Sequence, residues 1–184
     1  MPRISLVGLV AGLALTGCSD IEVTTTQDPK TDFSVIRSWS WYETVNNEAP
    51  DPDISELARR RLKNCIQSEL EARGYSWGPA DKADMLIKWV AVAGGSVELA
   101  PVGFRFGVDD PKTRGPVTAP ATLSEGTLII DVMSTMPPRR IIWRGVAEAT
   151  VNRSLPDEER QERIQLAVAK TFASFPARKP AKKN

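Results

Sequence analysis

Few side chains in this 184-residue sequence have the type and spacing to do chemistry. The clearest is a thiol, at the end of Leu15-Thr16-Gly17-Cys18, where a short apolar run meets two small residues and a cysteine. That pattern reads as a lipobox. The leader is cut between Gly17 and Cys18, and the Cys18 sulfur carries a diacylglycerol thioether as the new N-terminus. The other candidates are carboxylates on β-rich segments, Asp84, Asp131 and Glu148, which could serve as a general acid and base if two of them met in a cleft. None has a second acid at a fixed spacing, so carboxylate-based hydrolysis is the weakest reading. Zero histidines exclude Ser-His-Asp and Cys-His catalysis and the HExxH zinc site. No metal or cofactor is expected.

The leader is too short to span a bilayer. Arg3 is its one charge, and Ile4–Leu15 is interrupted only by Ser5 and two glycines. A spanning helix needs about 20 apolar residues, whereas a secretory core needs roughly 7–15. Two or three acyl chains, at about 0.8 kcal/mol per buried methylene, give firm anchorage. Ser19 follows the cysteine where an aspartate would resemble the inner-membrane retention signal of enteric lipoproteins. The expected address is therefore the outer membrane, facing the periplasm.

Cys65 is the second and last cysteine, which leaves no partner for an intramolecular disulfide. Its neighbours on the helical pattern, Leu62, Ile66 and Leu70, make it a small buried hydrophobe. Beyond the leader the chain carries 23 basic and 23 acidic residues, because Arg3 is the only charge removed. That balance argues against nucleic acid, whose binders neutralise phosphates with Lys and Arg.

The elements that must position these groups follow from periodicity. Residues 18–32 read as the lipidated start and a flexible tether, 33–176 as one domain, and 177–184 as a disordered basic tail. Phe33, Val35, Trp39 and Trp41 share one parity and predict a half-buried strand, with Arg37 out of pattern. Each tryptophan should find an acceptor for its indole N–H. Asp53 is expected to cap a helix to Arg73 whose stripe includes Leu57, Leu62, Ile66 and Leu70, with Gly74 as its stop. Arg59-Arg60-Arg61 should form a solvated face. Ala83–Val92 predicts a strand buried on both faces.

Residues 94–124 are Gly- and Pro-rich and read as an irregular insertion with at most a weak hairpin. Phe104 and Phe106 within it are the expected partner-binding surface. Gly126–Met133 and Arg140–Val151 predict a strand pair with Asp131 level with or diagonal to Arg144. Pro156 opens a last helix buried through Ile164, Ala167, Val168, Thr171, Phe172 and Phe175. The order β-α-β-(loop)-β-β-α implies an α+β two-layer sandwich, a four-stranded mixed sheet with two helices on one face.

Several short strings sit in a familiar order: Asp32-Phe33, Trp39-Ser40-Trp41, Arg73-Gly74-Tyr75 and Ala83-Asp84, then Glu125-Gly126-Thr127-Leu128-Ile129-Ile130-Asp131, Trp143-Arg144-Gly145 and Phe175-Pro176. Over residues 32–176 the chain resembles the bacterial lipoprotein family known as domain of unknown function 4136. The resemblance implies a lipid-anchored envelope protein without established activity, and it carries over no functional residue. Three readings follow: a non-catalytic accessory module that binds an envelope protein, a carrier of a lipid or other hydrophobic ligand, and the hydrolase above.

Overall fold

The structure, a computed structural model, describes residues 20–42, 54–94, 97–99, 121–123, 125–136 and 139–178. Eight strands and two helices are present among them: β1 (Glu22–Gln27), β2 (Ser38–Trp41), α1 (Glu56–Ala72), β3 (Ser76–Trp77), β4 (Met85–Val92), β5 (Val97–Leu99), β6 (Ala121–Leu123), β7 (Thr127–Ser134), β8 (Ile141–Glu148) and α2 (Asp157–Phe172). Six strands form one open mixed sheet in the order β1-β8-β7-β4-β2-β3, and β5 and β6 pair separately. The α+β class with two helices therefore holds, but the sheet has six strands rather than four.

The two added strands are the two edges. β1 occupies residues expected to be tether, and it pairs antiparallel along its whole length with β8, Glu22 opposite Glu148 and Gln27 opposite Trp143. At the other edge β3 is only two residues long and runs parallel to β2. β2 and β4 are adjacent and parallel, as expected of a strand-helix-strand crossover.

The helix-facing side of the four central strands, β2, β4, β7 and β8, is apolar. Trp39, Met85, Ile87, Ile130, Val132, Trp143 and Ala147 join Leu62, Ile66 and Leu70 of α1 and Val168 and Phe172 of α2 in one core. α1 is capped by Ser55, whose Oγ accepts from the Ala58 N–H at 3.2 Å, and not by Asp53, which lies outside the described residues. A small second core of Ala83, Leu86, Met133 and Ile141 explains why the first half of β4 is buried on both faces.

The parity reading of 33–41 fails before β2. Residues 33–36 turn, with the Ile36 N–H donating to the Phe33 carbonyl, so Ile36 is buried while Val35 is exposed. Trp39 is fully buried, and its Nε1 has no hydrogen-bond partner, against the expectation for a core indole. It meets Trp41 edge-to-face, ring centroids 5.0 Å apart.

The shared sequence strings are structural. Gly74 takes φ +85° after α1. Arg73 Nη2 donates to the Phe172 carbonyl at 2.7 Å, closing the C-terminal end of α2, and Tyr75 donates to the Pro176 carbonyl at 2.9 Å. Arg178, expected in the disordered tail, donates its N–H to the Arg73 carbonyl. Gly145 lies under α2: a Cβ there would fall 2.3 Å from Thr171 Cγ2 and 2.5 Å from the Trp143 ring, so glycine lets the helix settle on the sheet.

Asp28 fastens the end of β1. It is buried and accepts from the Lys30 N–H, the Thr31 hydroxyl and Arg140 Nε. Burial alone would raise its pKa, but those hydrogen bonds and the Arg140 charge hold it below the ordinary carboxylate value. Its folded pKa is therefore lower than its unfolded one. The stability it supplies is complete above about pH 4 and drains away as pH falls through the folded pKa. Asp28→Asn should lower stability by about 2 kcal/mol at neutral pH, and the gap to wild type should close in acid. Urea midpoints measured across that range check this.

Candidate functional site

The sheet and the helices leave a space where α1 and α2 both begin. There β4 ends, β7 starts and the chain leaves β8, so backbone ends and helix N-termini converge on one mouth. The cavity measures about 470 Å³, within the range of small-molecule sites. Ile21, Leu57, Leu62, Ala91, Leu128, Ala149, Ile164 and Ala167 make its apolar wall, and Arg61, Arg153, Arg160, Arg163 and Asp157 its polar part.

The arginines are held in place. Arg61 Nη2 and Arg160 Nη2 reach the two oxygens of Asp157 at 3.1 and 2.7 Å. Arg163 Nη2 donates to both carboxylate oxygens of Asp20 at 2.9 Å and to the Thr150 carbonyl. Arg153 Nη2 donates to the Ala93 carbonyl at 2.8 Å, with Glu125 at 3.9 Å from its Nε. The hydrogen bonds from Arg160 and Arg61 lower the pKa of Asp157, and that from Arg163 lowers Asp20. Arg61 is thus drawn in towards α2, where a wholly solvated arginine run had been expected.

Beyond the wall formed by Thr127 and 149–151, a shallow groove of about 510 Å³ collects Asp20, Glu22, Glu125 and Glu148. Glu22 and Glu148 are register partners, and both side chains are exposed. Among the described residues, no group of three or more His, Cys, Asp or Glu is placed to hold a metal ion.

The three strand carboxylates do not meet. In the β4–β7 ladder Asp131 faces Lys88, four residues after Asp84, and Glu148 faces Thr127, four residues before Asp131. At roughly 3.3 Å per residue each separation is about 13 Å along the sheet. Asp131 is buried and pairs directly with Arg144, Oδ1 and Oδ2 accepting from Nε at 2.6 Å and Nη2 at 2.8 Å. The level cross-strand pairing is the expected one. Asp84 Oδ2 instead accepts the N–H groups of Arg37 and Ser38 and the Ser38 hydroxyl, all at 2.9 Å, and so ties β2 to the start of β4.

Cys65 is half-buried against the core, and burial, then Glu69, pushes its thiol pKa up, as suits a packing residue. Gly17 and Cys18, and Phe104 and Phe106, lie outside the described residues. No helix among those residues is long and apolar enough to cross a membrane. Sequence reasoning missed the cavity, because its wall is drawn from six separate stretches and no local period marks it. The only local signal was Arg61 on the same face as Leu57 and Ala58.

Comparison with known proteins bears on the fold more than on the site. No curated protein matches the sequence. Among solved structures, a DUF4136 family protein from Bacteroides thetaiotaomicron superposes with TM-score 0.55 at 16% identity, covering 84% of this chain and 95% of that one. A PDZ domain protein from Parabacteroides distasonis gives TM-score 0.47 at 15% identity, over 90% of this chain and 36% of its own length. A PelC dodecamer from Paraburkholderia phytofirmans gives 0.47 at 12% identity, over 86% and 99%. The profile of the family described as domain of unknown function (DUF4136) matches residues 23–177, from the start of β1 to past Phe175-Pro176, and the chain belongs to that family.

Proposed function

We propose that this is a non-catalytic lipoprotein, acylated at Cys18, held on the periplasmic face of the outer membrane, and that it binds a hydrophobic component of the envelope in the cavity between the helix N-termini and the sheet. The cavity carries this reading: it is apolar, sized for a small ligand, and rimmed by ordered arginines. Asp84, Asp131 and Glu148 are held apart along the sheet, which lends the carboxylate hydrolase no support. The balanced charge gives nucleic acid no purchase.

A partner-binding accessory role has its own support at the opposite pole. Trp77 on β3, 60% exposed, is the largest exposed apolar side chain among the described residues and would be a contact point in that reading. Anchorage is tested in the native host. Wild-type protein should partition into detergent and show an acylated N-terminal peptide by mass spectrometry, and Cys18→Ala should leave it in the aqueous phase. An unmodified Cys18 in wild type overturns the proposal.

A further inference from the structure

The first described strand begins at Glu22, and Ile21 already lines the cavity. Only Ser19 and Asp20 separate Ile21 from Cys18. Three residues span at most about 11 Å even when fully extended. An acyl anchor on Cys18 therefore holds the cavity mouth against the headgroup layer, where a dozen-residue tether would have let it tumble free.

The lining favours one kind of occupant. Four arginines stand against one lining carboxylate, Asp157, with Asp20 and Glu125 pairing from just outside. The Asp157 and Asp20 side chains are about half exposed, at 47% and 45%, so their ion pairs with the arginines are solvent-screened and can yield to another anion. Two helix N-termini add partial positive charge at the same end, offset in part by Glu56, Glu158 and Glu159 in their first turns. The apolar wall has room for one hydrocarbon chain rather than a whole diacyl lipid. The acyl group on the protein's own amino terminus would bring no negative charge to meet the arginines.

We propose that the cavity takes an acyl chain of an anionic phospholipid from the leaflet in which Cys18 is anchored, with its phosphate among Arg153, Arg160 and Arg163. This rests on the reading of the cavity as the binding site and adds the ligand class and the orientation.

The test uses the acylated full chain in vesicles of phosphatidylcholine alone or with phosphatidylglycerol, each doped with the matching lipid bearing a diazirine on its acyl chain. After illumination, adducts should map to Leu62, Ala91, Leu128 or Ala167. At about 1 kcal/mol per arginine near a membrane surface, two rim contacts make labelling roughly thirtyfold stronger with phosphatidylglycerol. Ala91→Phe should remove those adducts. Should that variant misfold by circular dichroism, the Arg153→Glu, Arg160→Glu double variant, altered only at the rim, should abolish the headgroup preference. Equal labelling with both lipids, or adducts confined to the outer surface, overturns the proposal.

A Cys18→Ala chain offered a soluble diazirine lysophosphatidylglycerol separates the two readings. Cavity adducts there but none in vesicles overturn the membrane-facing orientation and leave the binding site standing. None in either overturns both.

Discussion

Gly126→Ala should lower the stability of the fold by about 3–5 kcal/mol, read as a fall in urea midpoint with an unchanged m-value. Two costs add. Gly126 has φ +86°, a conformation that strains any residue with a Cβ, and a Cβ built there would lie 1.7 Å from the Ala149 carbonyl oxygen. That oxygen belongs to backbone, so no rotamer change relieves the contact. Gly126 also ties two strands, donating its N–H to the Val92 carbonyl at 2.7 Å and accepting from the Ala149 N–H at 3.0 Å. Gly78→Ala is the matched control: nothing lies within 4 Å of its Cβ position, and the change should stay within about 0.5 kcal/mol of neutral. Because Gly126 lines the cavity, its variant should also weaken lipid labelling in whatever fraction stays folded.

Phe172→Ala should cost about 3–5 kcal/mol, the range for emptying a buried aromatic site. The ring is fully buried, stacks on Trp143 at 5.6 Å and takes the Phe175 ring edge-on at 5.4 Å. Its backbone carbonyl holds Arg73, and the Arg73 guanidinium sits over the ring at 5.6 Å. The vacancy would lie where α2 meets both the sheet and the end of α1, and neither side can close it without moving the other. Leu166→Ala on the same helix, 40% exposed, should cost less than about 1 kcal/mol. Near-UV circular dichroism should show Trp143 losing its asymmetric surroundings in the first variant only.

Long-period signals in the sequence survived into the fold. Leu62, Ile66 and Leu70, or Leu128, Ile130 and Val132, repeat at the spacing of their element often enough that burial follows, and Asp131 opposite Arg144 follows from pairing those faces. β1 escaped because it is an edge strand that faces solvent along nearly its whole length, so Glu-Val-Thr-Thr-Thr-Gln has no apolar alternation. Only its β-branched run hinted at a strand. Val35 was misplaced because a turn resets the parity that an uninterrupted strand would keep. The cavity is a tertiary feature, and Ile21 and Ala167 reveal nothing of each other until β1 and α2 are both in place.

The pairing of β1 with β8 also sets a timetable. Synthesis delivers Glu22–Gln27 first and Ile141–Glu148 almost last, so the opening strand waits unpartnered while nearly the whole domain is made. Until then its amide groups must be served by water, and the sheet cannot be completed. Maturation at the front of the molecule thus hinges on residues near its back, and a chain cut short before Ile141 would leave its first strand with nothing to hold.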